Sequence, residues 1–103
     1  MNDAAASAVE VRDNPAENRY EVFKDGQLAG FSTYTLSRDV IIFLHTETDP
    51  AYAGQGLGSA LARGLLDDVR RRGLAVVPLC PFIKGWIDKH PDYATTVESS
   101  RPL

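Results

Sequence analysis

The stretch Ala53-Gly54-Gln55-Gly56-Leu57-Gly58-Ser59 (residues 53–59) separates two segments of different period, and the fold is decided around it. Before it, Val40-Ile41-Ile42-Phe43-Leu44-His45-Thr46-Glu47-Thr48 reads as a strand whose centre is apolar on both faces, so a central place in a sheet is expected. Asp49-Pro50 stops that strand, because proline donates no ladder hydrogen bond and pushes the residue before it out of helical space. After the glycines, Leu57, Leu61, Leu65 and Val69 fall four apart with Ala60, Ala62 and Leu66 beside them, which predicts a helix from Leu57 to Arg72 with one apolar stripe. Arg70-Arg71-Arg72 suits the negative end of the helix dipole, and Gly73 is a natural C-cap.

Toward the N-terminus, Val9 to Val11 and Arg19 to Phe23 alternate apolar with polar residues, the period of half-buried strands. Lys24-Asp25-Gly26-Gln27 is a tight hairpin turn, since Asp-Gly tolerates positive φ, so a third strand runs back antiparallel from Gln27 to Leu36. A turn at Ser37-Arg38-Asp39 leads into the fourth. Toward the C-terminus, Leu74-Ala75-Val76-Val77-Pro78-Leu79 is expected to return as a fifth strand, parallel to the fourth through a right-handed crossover. Phe82, Ile83, Trp86 and Ile87, following Pro81, predict a short second helix ending before His90-Pro91. The fold class is therefore α+β, a mixed α/β arrangement with an antiparallel meander of four strands, one βαβ crossover to a parallel fifth strand and a second short helix. Residues 1–8 read as a flexible tail, 9–94 as the domain and 95–103 as a loose polar tail.

A chain of 103 residues supports one hydrophobic core, and 44% hydrophobic with 24% charged residues is the balance of an ordinary globular domain. The net charge of -3 argues against a nucleic-acid partner, which needs a field of Lys and Arg. A single cysteine, Cys80, excludes an intrachain disulfide and cannot by itself make a structural zinc site; no metal is expected, and a reducing cytosol fits. Met1 to Val9 lacks the basic and long apolar regions of a signal peptide, and the run Val40 to Leu44 is too short to span a bilayer. A cytoplasmic protein without a membrane partner is expected.

A strand, a glycine turn and a helix start make an anion site, because unpaired N–H groups converge there at the positive end of the helix dipole. A dinucleotide fingerprint starting at Gly54 would need glycine at Ser59, and a Walker loop would need lysine after its last glycine, so neither is predicted. The turn resembles the pyrophosphate motif of the GNAT acetyltransferases, Gln/Arg-x-x-Gly-x-Gly/Ala, here Ala53-Gly54-Gln55-Gly56-Leu57-Gly58. It departs from that pattern at Ala53, so the missing side chain's contribution must come from Gln55, from backbone N–H groups or from another residue. His45-Thr46-Glu47, the helix Leu57 to Arg72 and Val77-Pro78-Leu79-Cys80-Pro81-Phe82 extend the resemblance, from Val9 to Tyr93, to a small single-domain branch of GNAT-like acetyltransferases.

The resemblance implies a GNAT-like fold, acetyl-CoA as cosubstrate, and transfer of the acetyl group to an amine, either a protein lysine or a small amine. It implies that Gly54, Gln55, Gly56, Leu57, Gly58 and Ser59 hold the pyrophosphate, and that Thr46 and Thr48 hold the pantetheine and polarise the thioester carbonyl. Cys80 follows the fifth strand, where the acyl sulfur should come, and is expected either to accept the acetyl group or to protonate the leaving thiolate; the alternative is an inert buried cysteine. His45 and Glu47 stand two apart on a strand and share a face, so either is a candidate general base, against the alternative of a polar pair at a strand end. Arg70-Arg71-Arg72 reads as a solvated helix end, and Phe82, Trp86 and Tyr93 as core aromatics or as walls of the coenzyme path. A rival function is a coenzyme A-binding module or sensor with little catalysis. A monomer or weak dimer is expected.

Overall fold

The computed structural model describes residues 8–97. The strands are β1 (Val9–Asn14), β2 (Arg19–Lys24), β3 (Gln27–Ser37), β4 (Val40–Thr48) and β5 (Ala75–Pro78), and the helices are α1 (Leu57–Arg71) and α2 (Pro81–Asp88). One sheet holds the strands in the order β1-β2-β3-β4-β5, the first four antiparallel and β5 parallel to β4 from Val40↔Ala75 to Phe43↔Pro78. The hairpin between β2 and β3 is built as its sequence requires, with positive φ at Asp25 (50°) and Gly26 (81°) closing the pair Lys24↔Gln27.

The stripe Leu57, Leu61, Leu65, Leu66 and Val69 of α1 is buried with Tyr20, Val22, Tyr34, Ile41, Phe43 and Val76 of the sheet and Ile83, Trp86 and Ile87 of α2 in a single core. Helix α1 comes closest to β1 at Gly64, where a Cβ would stand 2.7 Å from that of Val11, so the helix could not sit so near with any other residue there.

Two expectations are corrected. β4 has a neighbour on each side but is buried on one face only: Ile41 and Phe43 enter the core, while Ile42 is half-buried and Leu44 is 44% exposed. Both α-helices join the core on the Ile41 and Phe43 face, which leaves the opposite apolar side chains partly in solvent. The predicted loose tail is packed over its described part, Thr95 to Val97. A 3-10 helix, Pro91–Thr96, buries Tyr93 and Thr96, and Val97 bridges Val76 on the outer edge of β5. Tyr93 drives this packing, because its ring meets that of Trp86 edge-on and its hydroxyl donates to Asp67 at 2.7 Å. The remaining residues assigned to the two tails lie outside the described residues.

Candidate functional site

The pairing of β3 with β4 passes from Thr33↔His45 to Tyr34↔Phe43, so Leu44 is an extra residue in β4, a β-bulge. The bulge exchanges the two faces of the strand beyond it. Without it the odd-numbered positions would continue inward from Ile41 and Phe43; with it, Thr46 points to the core side and His45 and Glu47 point to the other. The Thr46 hydroxyl lies 2.9 Å from that of the fully buried Ser32 and 3.1 Å from Cys80 Sγ. His45 Nε2 and Glu47 Oε2 are 2.7 Å apart, both side chains exposed. The expected sharing of a face by His45 and Glu47 is therefore present, but Cys80 is on the other side of the strand from both.

β4 and β5 separate after Phe43↔Pro78, where the Cys80 N–H donates to the Phe43 carbonyl at 2.9 Å and Leu79 turns outward. The Thr33 hydroxyl donates to the His45 carbonyl and the Asp49 N–H donates to the Ala29 carbonyl, so the main chain at these positions faces β3. Alternation along the strand then directs the peptide groups of Thr46 and Thr48 to the side that β5 has left, where no described strand pairs with them. The cysteine that β5 leads into is 2% exposed and is the N-cap of α2, its carbonyl accepting from Lys84 N–H.

At the end of the open edge the chain turns into α1. Asp49 caps a 3-10 turn, Pro50–Tyr52, by accepting from Ala51 N–H at 2.9 Å, so its carboxylate is held within the turn. Gly54 (φ 81°) and Gly56 (φ 73°) take left-handed conformations, and Gly56 is the N-cap of α1, where no side chain caps the helix. The N–H groups of Leu57, Gly58 and Ser59 therefore have no carbonyl one turn back and no capping oxygen. These are the predicted pyrophosphate residues, brought together as a cradle open on its glycine side. Ser59 is the exception, since its Oγ accepts from the Trp86 indole N–H at 2.8 Å and ties α2 to the start of α1. Phe82 rests its ring on Gly58.

Sequence reasoning missed two residues that touch this region. Lys24, at the tip of the β2–β3 hairpin, bonds through Nζ to Gln55 Oε1, and Ser32 braces Thr46, whereas Trp86, expected as a core aromatic or a wall of the coenzyme path, is buried and holds Ser59. The signal for Lys24 was the meander itself, since antiparallel pairing brings the end of β2 to the same end of the sheet as the end of β4. At the end of the β3–β4 pair, Phe31 and Glu47 line a cavity of about 280 Å³ together with Thr48, Pro50 and the buried Ala29. No group of three or more potential metal ligands occurs among the described residues, and none of their helices is long and apolar enough to cross a membrane.

A family model described as GCN5-related N-acetyl-transferase matches residues 19–96. The chain belongs to that family. Among curated proteins this GNAT is similar to the ribosomal protein bS18-alanine N-acetyltransferase of Escherichia coli K12, at 31% identity over 58 residues, which is 56% of this chain and 39% of the relative's length. The crystal structure of the ribosomal-protein-S18-alanine N-acetyltransferase from Escherichia coli superposes with a TM-score of 0.57 at 20% identity, over 71% of this chain and 66% of that one. The solution structure of a GCN5-like protein from Staphylococcus aureus superposes with a TM-score of 0.65 at 22% identity, over 85% and 86% of the two chains. These likenesses agree with the expected GNAT fold, a meander of four strands followed by one parallel crossover.

Proposed function

We propose that this chain is a cytoplasmic N-acetyltransferase that moves an acetyl group from acetyl-CoA to a primary amine. One observation carries the reading: the unpaired edge of β4 at Thr46 and Thr48 leads, through the 3-10 turn and the glycine turn, to a helix start left without a side-chain cap. An extended pantetheine arm matches the first and a diphosphate the second, through strand-edge hydrogen bonds and the unpaired N–H groups of Leu57, Gly58 and Ser59 respectively. A peptide N–H on the open edge, at Thr46 or Thr48, is the donor suited to the oxygen of the tetrahedral intermediate.

The bulge suggests a division of labour between the faces of β4. The acceptor amine enters on the outer face, from the cavity beside Glu47, and gives its proton to the His45–Glu47 pair, the carboxylate steadying the imidazolium that forms. The amine enters as an ammonium, so this leaves it neutral; its nitrogen attacks the thioester carbon and loses its second proton to solvent as the carbon–sulfur bond breaks. The departing thiolate takes a proton on the core side from the Cys80 thiol, which is hydrogen-bonded to Thr46 and regains a proton from solvent. Burial of Cys80 favours this proton-donor role over an acetyl-Cys80 intermediate, which needs an accessible thiolate. The relative's name specifies an alanine of a ribosomal protein. This chain matches 39% of that relative, so a protein amine is carried here only as the acceptor class, with a small amine as the other outcome of the assay.

Thermal-shift titration with coenzyme A, together with intact-mass spectrometry after mixing with acetyl-CoA, tests the reading in wild type and Cys80→Ala. Coenzyme A is expected to raise the melting temperature of both proteins. A gain of one acetyl mass that Cys80→Ala abolishes would replace direct transfer with an acyl-enzyme. Stabilisation without acetylation of any amine offered would leave a binding module, and absence of stabilisation would remove coenzyme A from the account.

A further inference from the structure

A diphosphate carries two negative charges, yet residues 49–59, which form the turn and the first helical residues, contain no Lys, Arg or His. The neutral N–H groups of α1 alone would have to balance that charge. A cation reaches the turn from elsewhere in the chain. Lys24, the last residue of β2, bonds through Nζ to Oε1 of Gln55, which lies between the left-handed Gly54 and Gly56. The partner is a neutral amide, and Lys24 has no ion pair among the described residues. The nearby carboxylates are engaged by main-chain groups, Asp49 by Ala51 N–H and Asp25 by Ala8 N–H at 2.9 Å each. An ammonium offers three donors, and one amide oxygen uses one of them.

Resting on the coenzyme A reading above, we propose that Lys24 is the cation that binds the diphosphate, held at the mouth of the cradle by Gln55. In the free protein Gln55 anchors the long side chain over the glycine turn, lowering the entropy lost on binding. When the diphosphate occupies the cradle, the other two Nζ protons pair with its oxygens while the α1 N–H groups bind from the opposite side. The charge that Ala53 cannot supply thus comes from a hairpin tip 31 residues away from its anchor in sequence.

Calorimetric titration of the full chain with coenzyme A, dephospho-coenzyme A and pantetheine, in wild type, Lys24→Ala and Lys24→Arg, tests this. Lys24→Ala should weaken coenzyme A and dephospho-coenzyme A alike, on the order of tenfold or more, as expected for the loss of two charge-assisted hydrogen bonds at a solvent-accessible site. Lys24→Arg should recover most of the loss, and pantetheine should bind both proteins equally. If pantetheine binds too weakly to measure, salt decides: the gap between wild type and Lys24→Ala should narrow as ionic strength rises, because exposed charge pairing is screened. An effect lost with dephospho-coenzyme A would assign Lys24 to the 3′-phosphate and overturn the proposal. So would an equal loss for pantetheine, a gap insensitive to salt, or no change in the variant. Failure of wild type to bind coenzyme A is a separate result, since it appears before any substitution and removes the functional reading itself.

Discussion

At its C-terminal end α1 is fastened to the sheet by a closed polar network, whereas at its N-terminal end the same helix starts with main-chain donors left unused. Tyr20 donates to Asp68 at 2.6 Å and accepts from Arg72 at 2.9 Å, Tyr34 donates to Asp13 at 2.7 Å, and Arg72 reaches Asp13 at 3.2 Å. Both phenols and both carboxylates in that cluster have protein partners, so it fixes the helix to the sheet. The glycine turn is the reverse, with an αL glycine as N-cap and no capping side chain. One end converts sequence into stability, and the other is left with unsatisfied hydrogen-bonding capacity that the proposed coenzyme A site would use.

The largest expected effect attacks the open end. Gly56→Ala places a Cβ on a backbone at φ 73°, where nothing stands within 4 Å but the left-handed conformation itself costs about 1–2 kcal/mol. Relaxing that strain turns the first N–H groups out of line, so coenzyme A affinity should fall by on the order of tenfold or more while stability falls by about 1–2 kcal/mol. Calorimetry alongside denaturant unfolding checks both, and unchanged affinity would break the contrast. The closed end should respond in the opposite proportions. Tyr20→Phe removes the hydroxyl between Asp68 and Arg72 and should cost about 1–2 kcal/mol of stability with coenzyme A affinity unaltered.

The closed end should also set the alkaline limit of the fold. Burial, with the hydrogen bond to Asp13 second, pushes Tyr34 up to about 12, and burial with the Asp68 hydrogen bond raises Tyr20 as well. A tyrosine whose pKa is higher in the folded state keeps its proton there after the unfolded chain has lost it. Its contribution is complete below about pH 10, the unfolded value, and declines as pH rises toward 12. Unfolding free energy measured from pH 9 to pH 11.5 should therefore fall with pH, and less steeply in Tyr34→Phe. An equal slope in the two proteins would mean that the network does not hold the phenol neutral.

The features legible in the sequence are those with local causes. Asp25-Gly26 specifies its own positive φ values, the four-residue apolar spacing specifies α1, and Gly54, Gln55 and Gly56 mark the open end. The bulge at Leu44 has no such signature. It is created by the register between β3 and β4, and Val40 to Thr48 reads as one unbroken strand without it. Yet the bulge decides that Thr46 faces Cys80 while His45 and Glu47 face away, so the candidate residues were legible as types but not by side. Lys24 was hidden for the same reason, because its neighbour Gln55 is set by strand pairing. Residues 95–103 were read as loose from their polarity, which conceals the burial of Thr96 and the bridge from Val97 to Val76.

Ser59→Ala gives the smallest expected effect and the finest test of the contrast, because Ser59 belongs to both kinds of structure. Its N–H is one of the unused donors at the open end, while its Oγ accepts from the buried Trp86 indole, a part-buried bond that resembles the closed end in joining two elements of the protein. Alanine keeps the main-chain donor and deletes only the acceptor, leaving the indole N–H without that partner at a cost of about 1 kcal/mol. If binding depends on main-chain groups, Ser59→Ala should lose that stability and change coenzyme A affinity by less than about threefold, a difference of roughly 0.6 kcal/mol. A loss of affinity comparable with that of Gly56→Ala would make the hydroxyl itself a phosphate ligand and would move the boundary between the two ends of α1 one residue further into the helix.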